Sequence, residues 1–401
     1  MKIVNITINT LAKILPVSLL LAASYAHSVE FEAKGNVELQ ARVFVEDPLF
    51  PTQPDNNLSL ATVPEFYWSW NDGDDLIEFV PSARIDQNDD ERTHNDIREL
   101  AWIHASDNWE TRIGIRRVFW GVTEFQHLVD IINQTDAVDD IDDEDKLGQP
   151  MINLSLVNDW GIVDFFVMPY FRERTFAGIE GRPMIPNINP DNALYESSDE
   201  DKHKDYAVRW SHSIDDYEVA VSLFKGTSRA PVLTFSPATL ELSPFYFQIE
   251  QVGVELQANI EDLVWKLELI NQDSAFDNFS AIQTGFEYSF YGVYDSNADL
   301  GLIMEYSWDE RGEQASSNFQ NDIFVGARLA MNDVDSSELL MGFGYDLDFG
   351  SNTFVVEASR RYGDNLKLSL DVRFFESDDV NDFLYFVRRD DHFQLTAQYY
   401  F

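Results

Sequence analysis

Along most of the chain apolar and polar residues alternate one for one. From Asn36 to Phe44, Val37, Leu39, Ala41 and Val43 occupy one phase and Asn36, Glu38, Gln40 and Arg42 the other. Tyr217 to Leu223 repeats the pattern, with Val219, Val221 and Leu223 against Glu218, Ala220 and Ser222. So does Leu366 to Phe374, with Leu368, Leu370, Val372 and Phe374 against Lys367, Ser369, Asp371 and Arg373. A period of two belongs to β-strands with one apolar and one polar face. Helical spacing is confined to Thr123–Ile132, where Phe125, Leu128, Val129 and Ile132 recur at three and four residues and predict a short helical segment.

Two architectures produce such alternation. A soluble antiparallel sandwich buries the apolar face, whereas a membrane barrel turns it to lipid and turns the polar face to a lumen. The polar phase mixes charged with small residues, as in Gly114 with Arg112 and Arg116, Gly285 with Glu287, and Gly342 and Gly344 with Asp346. That mixture suits a crowded, curved, hydrated interior. Connection lengths discriminate more strongly. Short polar turns, at 71–75, 106–108, 158–161, 214–216, 259–262, 332–335 and 362–365, alternate with the long segments Gly121–Gly148, Phe171–Lys204 and Gly226–Gln248. Short turns at one end and long loops at the other are the arrangement of an antiparallel up-and-down transmembrane β-barrel. With strands of about 9–11 residues the chain accommodates about 18. Counting Phe383–Arg388 as a strand makes the total odd, so even parity assigns it to an external loop. Aromatic residues recur at strand ends, among them Phe66, Trp68, Trp70, Trp109, Trp160, Tyr288, Phe290 and Tyr291, where interfacial girdles lie.

The N-terminus supports export. Lys2 and Lys13 precede or flank a short apolar run, Ile14–Ala23, and Ser24-Tyr25-Ala26 has the small-x-small form of a cleavage site. Residues 1–26 are therefore expected to be a signal peptide and 27–401 a single barrel domain, beginning at His27. No later apolar run approaches the ~20 residues of a membrane helix. The 401 residues contain no cysteine and carry a formal charge of −43, which argues against nucleic acid as a partner.

The chain ends His392-Phe393-Gln394-Leu395-Thr396-Ala397-Gln398-Tyr399-Tyr400-Phe401, with Phe393, Leu395, Ala397, Tyr399 and Phe401 on one face. This stretch resembles the C-terminal signal of Gram-negative outer-membrane β-barrels. The resemblance implies residence in the outer membrane, contact with its lipid and lipopolysaccharide, and recognition of Phe393, Leu395, Tyr399 and Phe401 by the barrel-assembly machinery. A second, local resemblance lies in Trp120-Gly121 followed by Val129-Asp130-Ile131-Ile132-Asn133. It is similar to a stretch in an early loop of several poorly characterised proteobacterial porin-like barrels.

The expected function is passive diffusion of small polar solutes or ions through the lumen. The runner-up is an occluded barrel acting as a binding or structural protein of the outer membrane. The polar phase nominates Arg42, Arg84, Arg112, Arg116, Arg209, Arg328, Arg361, Arg373, Glu38, Glu110, Glu255, Glu287 and Glu305 as pore-lining residues, because opposed charges across a wall order water and filter solutes. Phe125, His127, Leu128 and Asp130 are candidates for a loop that folds into the mouth and constricts it. The same loop continues with six carboxylates in the seven positions 139–145. Lacking the glycine and spacing of a calcium loop, that run is expected to be solvated. No cofactor or metal is assigned from the sequence. Catalysis is not expected: the best pairs are His94 with Asp96 in one external loop and His127 with Asp130 in another, and such pairs arise easily by chance. A homo-oligomer is compatible with the pattern.

Overall fold

The computed structural model describes residues 29–184, 188–315 and 319–401. The expected signal peptide lies outside the described residues. Eighteen strands form one antiparallel sheet that closes on itself. In chain order they begin with β1 (Glu30–Phe44), β2 (Asn56–Trp70), β3 (Asp75–Asp86), β4 (Asn95–Ala105), β5 (Trp109–Arg116), β6 (Gln149–Asn158) and β7 (Gly161–Met168). A two-residue strand, β8 (Leu194–Tyr195), lies outside the barrel, which resumes with β9 (Asp205–Ile214) and β10 (Tyr217–Thr227). The hairpin β11 (Val232–Ser236) and β12 (Glu241–Tyr246) pairs with β8 as a separate small sheet. The barrel then runs through β13 (Gln248–Ile260), β14 (Leu263–Ser274), β15 (Asn278–Phe290), β16 (Asp299–Asp309), β17 (Asn321–Ala330), β18 (Glu338–Asp346), β19 (Asn352–Tyr362) and β20 (Leu366–Glu376). A one-turn helix, α1 (Leu384–Val387), precedes the last strand, β21 (His392–Tyr400).

Closure is made by β1 against β21, in register from Asn36 opposite Tyr400 to Phe44 opposite His392. Backbone bonds between Gly35 and Phe401 seal the seam in both directions, at 3.1 and 3.0 Å. The residue nominated from the chain terminus is therefore also the last rung of the barrel. Phe383–Arg388 is a loop with α1 in it, as parity required.

The period of two separates the faces. Leu39, Val43, Leu58, Leu60, Leu223, Val252, Met304, Leu370 and Leu395 point outward and are exposed. In water such a belt would be an aggregation surface; in a bilayer it is the required coat. Their neighbours Gln40, Arg42, Ser59, Ser222, Gln251, Glu255 and Glu305 point inward and are buried. Aromatic contacts mark the ends: at the turn end Phe31 meets Trp68 at 5.3 Å and Tyr288 meets Phe290 at 4.9 Å.

Candidate functional site

The segment 117–148, between β5 and β6, lies inside the barrel and crosses the lumen as a strap. Its base is clasped by Asn133, whose side chain accepts the Val118 N–H at 2.8 Å and donates to the carbonyls of Arg116 and Leu147, both at 2.8 Å. Asp130 accepts the Trp120 N–H at 3.4 Å, and Trp120 is buried edge-on against Phe166. The Trp-Gly and Asp-Ile-Ile-Asn elements noted in the sequence thus close one loop neck.

From there the strap reaches the wall formed by β14 to β18. Glu268, fully buried on the lumen face of β14, gathers four donors with its two oxygens. Oε1 accepts the N–H of Val122 (2.7 Å) and of Thr123 (3.0 Å) and the Thr123 hydroxyl (2.6 Å), and Oε2 accepts the Val129 N–H (3.3 Å). Glu305 on β16 does the same for Glu124 (2.8 Å) and Phe125 (3.2 Å). Gly121 has φ +139, and a Cβ there would meet Glu268 Oε1 at 3.0 Å and His127 Nδ1 at 2.9 Å; only glycine fits this approach. Phe125 stacks on Phe324 at 4.8 Å over Gly342, where a Cβ would strike the ring at 2.9 Å.

These bonds explain one departure from the sequence pattern. Thr123–Ile132 is irregular and not helical. The Val129 N–H, which a helix over this stretch would return to the Phe125 carbonyl, goes to Glu268 instead. The spacing of Phe125, Leu128, Val129 and Ile132 reflects packing: Val129 and Ile132 are buried among Met151, Phe166, Phe224, Ile249 and Ile270 of the wall, with Leu128 alongside.

The strap then turns to the far side of the ring, and here the acidic run corrects a second expectation. It is not solvated. Asp139 meets Arg84 at 2.9 Å and Arg98 at 3.4 Å; Asp140 meets Arg42 at 3.7 Å; Asp142 meets Arg373 at 2.8 Å. Arg92 is buried and donates to the carbonyls of Val138 (3.1 Å) and Asp139 (3.2 Å). Acids on the strap and arginines on β1, β3, β4 and β20 fasten its far end. Burial alone would raise the Asp140 carboxyl, but Arg373 and Arg42 outweigh it and hold it well below the usual range. Burial, then repulsion from Asp139 and Asp140, pushes Asp145 up to about 6.

All thirteen nominated lumen residues lie in the inward phase. Besides those on the strap, Glu38 pairs with Arg84 at 3.3 Å, Glu255 with Arg209 at 2.8 Å and Glu287 with Arg328 at 3.3 Å. Glu110 pairs with Arg112, Arg116 donates to Asn153 at 3.1 Å, and Arg361 lies over the Tyr400 ring. Phe393, Leu395, Tyr399 and Phe401 are exposed on the outer face. Sequence reasoning did not nominate Arg92, Arg98 or Arg182. Arg98 would face lipid by simple alternation. It turns inward because the β3–β4 register shifts between Val80 and Pro81, leaving Arg98 as the extra residue of a bulge; Pro81, which cannot donate to the ladder, was the available signal. Arg182, from the 169–204 loop, is fully buried and bonds Asp390 at 2.6 Å.

The strap separates two cavities, and Asp139 lines both. The larger, ≈630 Å³, opens toward the loops and is walled by Phe125, His127, Asp140, Arg92, Arg229 and Arg311 among others. The smaller, ≈330 Å³, lies against β1 to β4 with Glu38, Glu65, Glu78, Glu99, Arg84 and Arg98.

No protein-family model matches the sequence, and no curated protein matches it at the sequence level. Solved structures match along nearly the whole chain. A BenF-like porin from Pseudomonas fluorescens Pf-5 is 10% identical with a TM-score of 0.55, covering 93% of this chain and 98% of its own. OccAB1 of Acinetobacter baumannii is 6% identical at 0.54, covering 92% and 96%. OpdK of Pseudomonas aeruginosa, solved with vanillate, is 11% identical at 0.52, covering 92% and 98%. The chain has the fold of a porin-like outer-membrane barrel.

Within this porin-like barrel the sequence-adjacent histidine–aspartate pairs do not assemble. Asp96 is held by Arg172 at 3.0 Å, and His127 lies 3.8 Å from Glu268. Burial lowers the His127 pKa, but Glu268 outweighs it and the net shift is upward. His94, Asp136 and Asp139 bring ligand atoms within 4.8 Å of one another. Arg84 and Arg98 already supply the counter-charge there, so this group is better read as part of the strap's fastening than as a metal centre.

Proposed function

We propose that the protein is an outer-membrane channel for passive diffusion of small polar solutes and ions, throttled by the 117–148 strap. The observation that carries the reading is a loop tied to opposite walls of a closed barrel, with water-sized space on each side of it. Every arginine or lysine lining the two cavities has a carboxylate partner, whereas the lining carboxylates outnumber the cations. The residual field is therefore negative, favouring cations and neutral polar solutes. Residues 1–26 would be removed on export, and the C-terminal face ending at Phe401 would present the assembly signal.

Planar-bilayer recordings of the refolded protein test this. Ohmic conductance is expected, with a reversal potential in a KCl gradient on the cation side. Protein shown to be folded by its unheated gel mobility yet silent in the bilayer would refute the channel reading. A second reading has its own observation. The 169–204 loop also buries Arg182 among carbonyls of Glu46, Pro54 and Arg389, which suits an occluded barrel acting as a binding or structural protein. Under that reading, conductance appears only after one of the two loops is deleted.

A further inference from the structure

Where the strap passes the wall of β13 to β15, the larger cavity differs from the charged ring beyond it. Gln251 on β13 stands directly opposite Gln272 on β14, and Gln272 stands opposite Phe279 on β15. One inward row nearer the turns, Ile270 faces Ala281, which faces Asp309 on β16. All six side chains line the larger cavity. From the strap side it is bounded by Leu128 and Ile131. These two pack in part against the wall cluster that contains Ile270 and Phe279, yet they stay only half-buried. Apolar surface held against water is unfavourable until something apolar covers it.

The polar groups of this patch are amides, and one of them is unsatisfied. Gln251 is 4% exposed, and among the described residues its Nε2 has no hydrogen-bond partner. Buried polar atoms left unpaired are uncommon and costly. The charges nearby are already committed. Asp309 pairs with Arg311 at 2.7 Å, and the Arg311 guanidinium lies over the Phe279 ring at 3.4 Å. Arg229 is held by Asp205 at 2.7 Å. An ion settling here would lose hydration without gaining a counter-charge. An uncharged head that hydrogen-bonds with amides, carried on an apolar body of ring size, meets both needs of the patch. The cavity volume of ≈630 Å³ falls in the range of small-molecule pockets, about 300–1,000 Å³, which likewise set a few polar groups in an apolar lining.

We propose that the larger cavity contains a binding subsite for an uncharged amphipathic solute. Its apolar body lies between Leu128 and Ile131 of the strap and Ile270 and Phe279 of the wall, and its carboxamide or hydroxyl head hydrogen-bonds with Gln251 and Gln272. The subsite names the class of solute that pauses on the loop side of the strap. Passage of that solute rests on the channel reading, whereas binding does not.

Equilibrium dialysis of radiolabelled benzamide against the folded protein in detergent, corrected with protein-free micelles, tests the subsite. One saturable site per chain is expected. Benzoate, which has the body with a charged head, and acetamide, which has the head without the body, should each compete at least tenfold more weakly than unlabelled benzamide. Gln251→Leu should weaken benzamide binding about tenfold. Gln257→Leu, in the inward phase of the same strand nearer the turns, where its amide bonds Asn259 at 3.3 Å, should leave it unchanged. Absence of saturable binding overturns the proposal, as does benzoate competing as well as benzamide, or a folded Gln251→Leu barrel that binds like the parent. Should Gln251→Leu fail to fold, the rank order of the three competitors on the unaltered protein decides. Bilayer recordings separate this result from the channel reading: a protein that binds benzamide but is silent keeps the subsite and loses the channel, and one that conducts without binding loses the subsite alone.

Discussion

Glu268→Gln isolates the strap's attachment with a change of one atom type. The carboxylate collects three backbone N–H groups and one hydroxyl from residues 122–129 at 2.6–3.3 Å while fully buried. A hydrogen bond to a charged group contributes about 1.5–3 kcal/mol, and a buried donor left unpaired costs about 1–3 kcal/mol. The glutamine amide keeps one accepting oxygen but turns an NH2 toward at least one N–H donor. Losing one charged bond and stranding one donor costs the docked strap about 3–5 kcal/mol. At about 1.4 kcal/mol per tenfold, the ratio of docked to undocked strap falls by two orders of magnitude or more. Single-channel recording reads this directly. The variant should show a larger mean conductance or switching between levels absent from the parent, while Glu250→Gln, on the outer face, should behave as the parent. A folded Glu268→Gln barrel with conductance and noise identical to the parent would show that the carboxylate does not hold the strap.

Acidity should tighten the strap. His127 has a raised pKa, so its contribution is complete below about 6.5 and fades as pH rises through the raised value. Burial raises Asp130, Asp136 and Asp145, the last to about 6, so the docked state binds those protons more tightly and gains as pH falls through that range. Conductance should therefore fall between pH 8 and pH 5, and a rise would contradict the assignment. Arg182→Ala leaves Asp390 buried and unpaired, a loss of about 3–5 kcal/mol for a fully buried pair. Burial already pushes Asp390 up to about 6, so the drop in Tm should be larger at pH 8 than at pH 5. Leu395→Arg, on the lipid face, should cost about 2–4 kcal/mol in a bilayer near mid-depth, whereas Thr396→Arg one residue on should cost less; equal losses in a urea titration would undo the assignment of faces.

Much of this architecture was already written in local pattern. A side-chain period of two and short turns alternating with long segments specified strands and faces. Each of these depends only on neighbours along the chain, and the placement of Arg42, Glu255 or Leu395 followed from counting. What occupies the lumen was decided by tertiary structure alone. Val122 and Glu268 are 146 positions apart, and nothing local announces that a carboxylate on one strand will take the backbone N–H groups of a loop between two others. The same bonds overrode the helical spacing of Thr123–Ile132. The run Asp139–Asp145 reads as solvent-loving until arginines from four separate strands surround it, and Arg98 joins them only because a bulge breaks the alternation. Periodicity is a one-dimensional property and was legible; charge compensation across a closed ring is three-dimensional, and it set the shape of the passage.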